Sequence, residues 1–407
     1  MFKLKIFHWL KTIQTICLAC FAFSIPLNQV LANNFFFILI FNSLFLFNNK
    51  KKIKTSLLNS IPLICLLFMF VLDSFRNSNI QIMVSKLFLV LIPILFIVLK
   101  LDLPKIRLIL RAYIVGLCIS YLVCFIHIIL NFYSFNSCSF TPVPESLIEN
   151  QRFGNLNYFI SSIFTYPIAG RVYFALTFIL GIYILYFYPF IVKSRILRVI
   201  LNIVFIAAII QSYSVSAYIV LLSFILFYTI SILKKRNYKI LLFTVPILIG
   251  IIIFNHRLFS EKNVSASDFQ DGIRIEIWDC IINSITLDLN LLIGKGTVLA
   301  QKMINNCIIE KTKWSSVWVN DITILNAHNQ YLQYLNDFGI IGLIVLLFII
   351  IGYKFYFIKG VKQSIFIFVF VIVFFSESIL NRNLGILLFT FFYSLFINMN
   401  SINKKTI

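Results

Sequence analysis

Hydrophobic residues in this chain do not alternate with polar ones. They come in unbroken runs, such as LICLLFMFVL (63–72) and LIVLLFIII (343–351). Runs of this kind, repeated along a chain, predict helices that enter a bilayer. Strand-type alternation is absent, so a β-barrel is not expected. About twelve spans are read, near 13–31, 34–48, 56–73, 83–99, 107–131, 171–190, 197–212, 215–233, 239–255, 339–358, 363–379 and 384–399. The expected fold class is an all-α integral membrane protein with a large external loop between spans nine and ten.

The polar positions divide the chain further. Residues 1–132 carry the first five spans, 133–170 a first external loop, and 171–255 spans six to nine. Residues 256–338 form the one stretch long enough for an extramembrane subdomain, and 339–407 carry the last three spans and a tail. Span one ends at Val30-Leu31-Ala32, a sequence that resembles a signal-peptide cleavage site. Pro26 and Asn28 interrupt that end, and a retained helix is the reading preferred.

Charge assigns the sides. With the N-terminus in the cytoplasm, the even-numbered connections and both ends carry 23 of the 35 basic residues, among them Lys50, Lys51, Lys52 and Lys54. Of the 14 acidic residues only Asp102 falls on that side. This is the positive-inside pattern, and it places both termini in the cytoplasm. The net charge of +21 therefore calls for no nucleic-acid partner; membrane lipids with anionic headgroups suffice. Composition agrees: 60% of residues are hydrophobic and 12% charged, and the mean hydropathy is +0.96.

Within the large loop, IRIEIWDCIINSI (273–285) places Ile273, Ile277, Cys280, Ile281 and Ile285 on one helical face. Arg274 and Trp278 lie four apart on a neighbouring face, spaced to flank one ligand. Arg274 is a candidate phosphate clamp, because a guanidinium meets phosphate oxygens bidentately; pairing with Glu276, Asp271 or Asp279 is the plainer alternative. A turn with Gly294 and Gly296 follows. Then comes NAHNQYLQYLNDFGIIG (326–342), which puts polar chemistry at the mouth of span ten. His328 is its candidate general base, since imidazole titrates near working pH. A helix-start histidine satisfied by solvent is the plainer reading. Asn329 and Tyr331 are candidate substrate contacts beside it. A helix beginning near Ile322 is expected to carry His328 towards span ten.

Arg171, at the external end of span six, is a further candidate contact for phosphate, against simple snorkelling to the headgroups. Arg152 is a weaker one. His127 lies in an apolar run and reads as structural. The eight cysteines have no metal-ligand spacing, no D-x-D motif stands out, and no nucleotide-binding glycine loop is readable. No metal or cofactor is expected. Cys280 and Cys307 are able to pair in an oxidising compartment, but spacing alone does not decide it.

These residues resemble the O-antigen ligase and O-antigen polymerase superfamily of bacterial membrane enzymes. Three features carry the resemblance: AHNQYLQYLNDFGIIGLIVLL (327–347), the earlier pattern Arg274…Trp278…Gly294-x-Gly296, and a principal loop before the last three of about twelve spans. The resemblance implies a bacterial inner-membrane enzyme that transfers a glycan from undecaprenyl pyrophosphate to a sugar hydroxyl at the periplasmic face, without metal. The acceptor is then a lipid-linked repeat unit (a polymerase, the reading slightly preferred) or the lipid A core (a ligase), with polysaccharide-assembly proteins as possible partners. By position, His328 would activate the acceptor and Arg274 would bind the donor pyrophosphate. Many members carry an arginine where this chain reads SYSVSAYI, with Val215 at that place; Arg171 is the candidate replacement. A transporter or flippase of lipid-linked glycans is the alternative from another class, disfavoured by the lack of an internal repeat. A purely structural assembly partner is the third.

Overall fold

The computed structural model describes residues 2–45, 60–99, 101–134, 139–140, 164–165, 167–233, 267–286, 291–312, 326–352 and 361–403. Almost all of that chain is helical, in agreement with the all-α expectation. The apolar runs become α1 (Phe2–Ser24), α2 (Gln29–Phe45), α3 (Ile61–Arg76), α4 (Ile80–Val84), α5 (Phe88–Val98) and α6 (Leu103–Phe132), then α7 (Arg171–Phe187), α8 (Arg195–Gln211) and α9 (Val215–Leu233). The loop region contributes α10 (Ser267–Thr286) and α11 (Thr297–Thr312). The C-terminal part holds α12 (Gln330–Gly352), α13 (Val361–Ser376), a 3-10 turn (Ile379–Asn381) and α14 (Asn383–Asn403). A two-residue strand pair, Tyr133–Ser134 with Ser139–Phe140, follows α6. Among the described residues, Leu103–Leu130 and Gln330–Gly352 are long and apolar enough to cross a membrane, and the other apolar helices are shorter. Span nine (239–255) and the expected helix start at Ile322 lie outside the described residues.

Local chemistry sets the boundaries. The interruption at Pro26 and Asn28 is a turn, after which Asn28 Oδ1 accepts from the amides of Val30 and Leu31 at 2.8 and 3.1 Å and starts α2. The single span expected over 83–99 is instead two helices, with Ser85–Leu87 in a turn between α4 and α5. Asn79 caps the first of these, accepting from Gln81 N at 3.0 Å.

The chain forms two compact units. The first comprises Met1–Ser120, Tyr183–Val199 and Arg274–Ile407. Its axis is α14, whose residues from Ile386 to Phe396 are almost wholly shielded. Aromatic side chains interlock around it: Phe391 meets Phe21 at 5.6 Å and Phe96 at 5.5 Å, and Phe392 meets Tyr113 at 5.0 Å. Edge-to-face contacts of this type add to the burial of the rings themselves. The second unit comprises Tyr121–Ile182 and Ile200–Ile273. Its own aromatic core joins Phe164, Phe174, Phe178 and Phe205, with Phe178 and Phe205 at 5.3 Å.

Candidate functional site

The site is built in the first unit, around the N-terminal end of α12. His328 is not itself helical. It sits two residues before α12, in a turn with φ of +44°, a conformation that costs a non-glycine residue free energy. Three side chains hold it there. Asn326 Oδ1 accepts from His328 N at 2.9 Å. Gln333 Oε1 accepts from Ala327 N at 2.8 Å. Trp278, on α10, donates its indole N–H to Ala327 O at 2.7 Å. Asn329 closes the turn as the cap of α12, accepting from Tyr331 N and Leu332 N at 3.0 and 3.1 Å. Asn and Gln are the residues able to reach back to such amides, so the NAHNQ spelling reads as turn chemistry as much as catalysis.

The turn presents the imidazole to a carboxylate. His328 Nδ1 lies 3.3 Å from Glu377 Oε2, and Glu377 is buried while His328 is 34% exposed at its side chain. Glu377 lies beyond the end of α13, in the connection to α14. Burial alone would raise its carboxyl; the hydrogen bond and charge of His328, then the charges of Arg274 and Arg382, outweigh burial and hold it below its ordinary value. Two guanidinium groups and one imidazole thus share the field of one carboxylate. Arg382 is exposed and Arg274 half-exposed, so the cations face the open side of the cluster.

Two further features brace the frame. Cys280 on α10 and Cys307 on α11 form a disulfide, with Cα atoms 6.0 Å apart. The turn Gly294–Gly296 packs directly on α12: Lys295 N and Gly296 N donate to Asn336 O and Asp337 O at 3.1 and 2.8 Å, and Ile341 N donates to Leu292 O at 3.2 Å. At Gly339 the φ is +65°, and α12 kinks there. A Cβ on Gly294 would stand 2.4 Å from Asp337 backbone, and one on Gly339 2.5 Å from Leu292 backbone. Both glycines are therefore required by close backbone approach as well as by φ. Asp73, at the end of α3, caps α11. It takes Thr297 N at 3.1 Å and Thr297 Oγ1 at 2.5 Å, and Arg76 Nη1 donates to Gly294 O at 2.9 Å.

The structure therefore brings Arg274, Trp278 and His328 together. It adds Glu377 and Arg382, which the sequence reading did not single out. Their one sequence signal was a charged pair, SESILNRN (376–383), interrupting two apolar runs. Trp278 acts here as a brace for the turn. Tyr331 turns its ring to Phe375, at 4.7 Å between centroids, and its hydroxyl to Val371 O at 3.3 Å, which ties α12 to α13. Arg171 begins α7 in the second unit, where it lies within electrostatic reach of Tyr218 near the start of α9; Val215 opens α9 with its side chain half exposed. Among the described residues no three His, Cys, Asp or Glu side chains converge as metal ligands.

A basic pair beside a histidine–carboxylate pair is able to do two things at once. It neutralises an anionic leaving group and takes a proton from a hydroxyl. The family model of O-antigen ligase matches residues 200–347, which includes Arg274, Trp278, both turn glycines and His328. No curated protein matches the chain.

Proposed function

We propose that the chain, whose residues 200–347 match the family model of O-antigen ligase, is a membrane glycosyltransferase of the O-antigen ligase and polymerase superfamily and transfers a glycan from undecaprenyl pyrophosphate to a sugar hydroxyl at the periplasmic face of the bacterial inner membrane. The observation that carries this reading is the His328 Nδ1 to Glu377 Oε2 contact of 3.3 Å with two arginines around it.

In the proposed reaction Glu377 holds the Nδ1 proton of His328 and leaves Nε2 to accept the proton of the acceptor hydroxyl. The hydroxyl oxygen forms its bond to the anomeric carbon as the bond from that carbon to the pyrophosphate oxygen breaks. The electron pair leaves with undecaprenyl pyrophosphate, and Arg274 and Arg382 stabilise the charge that develops there. Direct displacement inverts the anomeric centre. The residues that meet at this end come from the connections between spans three and four, nine and ten, and eleven and twelve. The lysine and arginine distribution assigns all three to the external side, which supports a donor met outside the cytoplasm with both termini inside. A repeat unit on a second lipid carrier is the acceptor favoured here, making the chain a polymerase of surface polysaccharide; the lipid A core is the ligase alternative.

The test is glycan profiling by gel in a strain lacking the gene, complemented at matched membrane levels with wild type, His328→Ala, Arg274→Ala or Glu377→Gln. A ladder restored by wild type, with single-repeat glycans from the variants, is the polymerase outcome. Long lipid-linked chains that never reach lipid A core identify a ligase. Full complementation by His328→Ala and Arg274→Ala removes the proposed site and turns attention to transport of lipid-linked glycans.

A further inference from the structure

The connection that carries Glu377 is short, and it has to place one carboxylate against one imidazole. Its backbone is not left to itself. Lys86, in the turn between α4 and α5, points its ammonium at the 3-10 turn and donates to Leu380 O at 3.3 Å and Asn381 O at 2.8 Å. The side chain is 5% exposed, and its ammonium lies over the Phe70 ring at 5.1 Å from the centroid. Gln330, in the first turn of α12, holds the same segment from the other side. Its Oε1 accepts from Leu380 N at 2.6 Å and its Nε2 donates to Asn381 Oδ1 at 3.2 Å. Gln330 is wholly buried, and it stands two residues after His328.

We propose that Lys86 is a positioning residue for the glycosyl-transfer site: with Gln330 it clamps the backbone of Leu380 and Asn381 and so fixes Glu377 against His328. The inference rests on the functional reading above. Two facts separate it from a general packing role. First, a buried ammonium is costly unless its protons are used, and an apolar side chain of the same length would fill this space without that cost. Both hydrogen bonds that Lys86 donates go to consecutive carbonyls of the one segment that delivers Glu377. Second, the two clamps arrive from opposite directions. Gln330 fixes the segment relative to the His328 turn, and Lys86 fixes it relative to α3 and α5, so neither alone defines the Glu377 position. Small displacements at such a dyad are expensive, on the order of a hundredfold in rate for about 1 Å.

The experiment uses the full chain, purified in detergent and returned to vesicles, with Lys86→Met as the main variant. Methionine keeps the length of the stem and removes the donors. Gln330→Met applies the same test from the other side and stands in should Lys86→Met fail to accumulate. Two readouts are taken. The first does not depend on activity: Ser378 is fully buried, and a Ser378→Cys variant is labelled with a maleimide and read at that position by mass spectrometry. Labelling at 378 is expected to rise severalfold when Lys86→Met is added. Unchanged labelling overturns the inference.

The second readout is turnover of a lipid-linked donor. Lys86→Met is expected to lower kcat on the order of tenfold to a hundredfold, with the KM for donor nearly unchanged. Combined with Glu377→Gln it is expected to add nothing to the loss from Glu377→Gln alone, because both remove the same placed carboxylate. Losses that multiply, or wild-type turnover in Lys86→Met, overturn the positioning role even if labelling rises. A wild-type chain that transfers no glycan defeats the functional reading instead, and the labelling result then decides by itself whether Lys86 pins the segment.

Discussion

Two short pieces of backbone are pressed onto the N-terminal half of α12, and they are held in opposite ways. The turn at 294–296 is held by backbone: its amides donate to Asn336 O and Asp337 O, and the approach is so close that neither Gly294 nor Gly339 has room for a Cβ. The segment at 377–382 is held by side chains, Gln330 from α12 and Lys86 from the α4–α5 turn. The first arrangement demands glycine at fixed places. The second needs only some residue with a donor or acceptor at the right reach. One clamp is therefore rigid and intolerant, and the other is adjustable. Glu377, the carboxylate that faces His328, sits on the adjustable one.

That contrast is easiest to break at the glycines. Gly339→Ala or Gly294→Ala forces a Cβ into backbone at a positive φ, and each is expected to cost at least ~2–4 kcal/mol. Loss of folded protein in membranes and a lowered Tm in detergent are the checks; an alanine variant with wild-type Tm would mean the clamp yields. His328→Ala comes next. It is expected to leave Tm nearly unchanged while lowering glycan transfer by about 10²–10⁴-fold, so that chemistry and folding separate.

Asp73→Ala sharpens the comparison within the backbone clamp. It removes the cap of α11 at Thr297 and is expected to cost ~1–2 kcal/mol, visible as a fall in Tm. The side-chain clamp is probed by acid. Glu377 is held below its ordinary value of 4.5, so its ionised form contributes stability that is fully present above that pH. The contribution is lost as pH falls through the lowered folded value. Tm measured downward from pH 5 is expected to fall more steeply in wild type than in Glu377→Gln, and parallel curves would show that the carboxylate contributes nothing to the fold. The smallest effect is expected from Asn329→Ala, which removes one N-cap of α12 for ~1 kcal/mol; a much larger loss of activity than of Tm would point to an additional role at the substrate.

The same contrast explains what was legible beforehand. The glycine turn, Arg274, Trp278 and His328 are legible because backbone clamps and their neighbours restrict residue type at fixed spacing. Trp278 meets the His328 turn across some fifty residues of chain, and Arg274, four residues before it on the same helix, lies within electrostatic reach of Glu377. Glu377, Arg382, Lys86 and Gln330 have no such spacing. They are ordinary residues from three separate segments, and only packing brings them together. Tyr331 and Asn329 looked like substrate contacts by their position beside His328, yet the structure engages both locally, one in the α12–α13 interface and one as a cap.

Taken by itself, the sequence determined the helical class, the boundaries that Asn28 and Pro26 impose, and the histidine element at the head of α12. Those are properties of runs and near neighbours, where hydrophobic transfer and hydrogen-bond reach act along the chain. The tertiary structure decided which carboxylate faces His328, that Cys280 pairs with Cys307, and that a lysine 291 positions before Glu377 holds its loop. Those depend on distances between segments far apart in the chain, which no periodicity within one segment encodes.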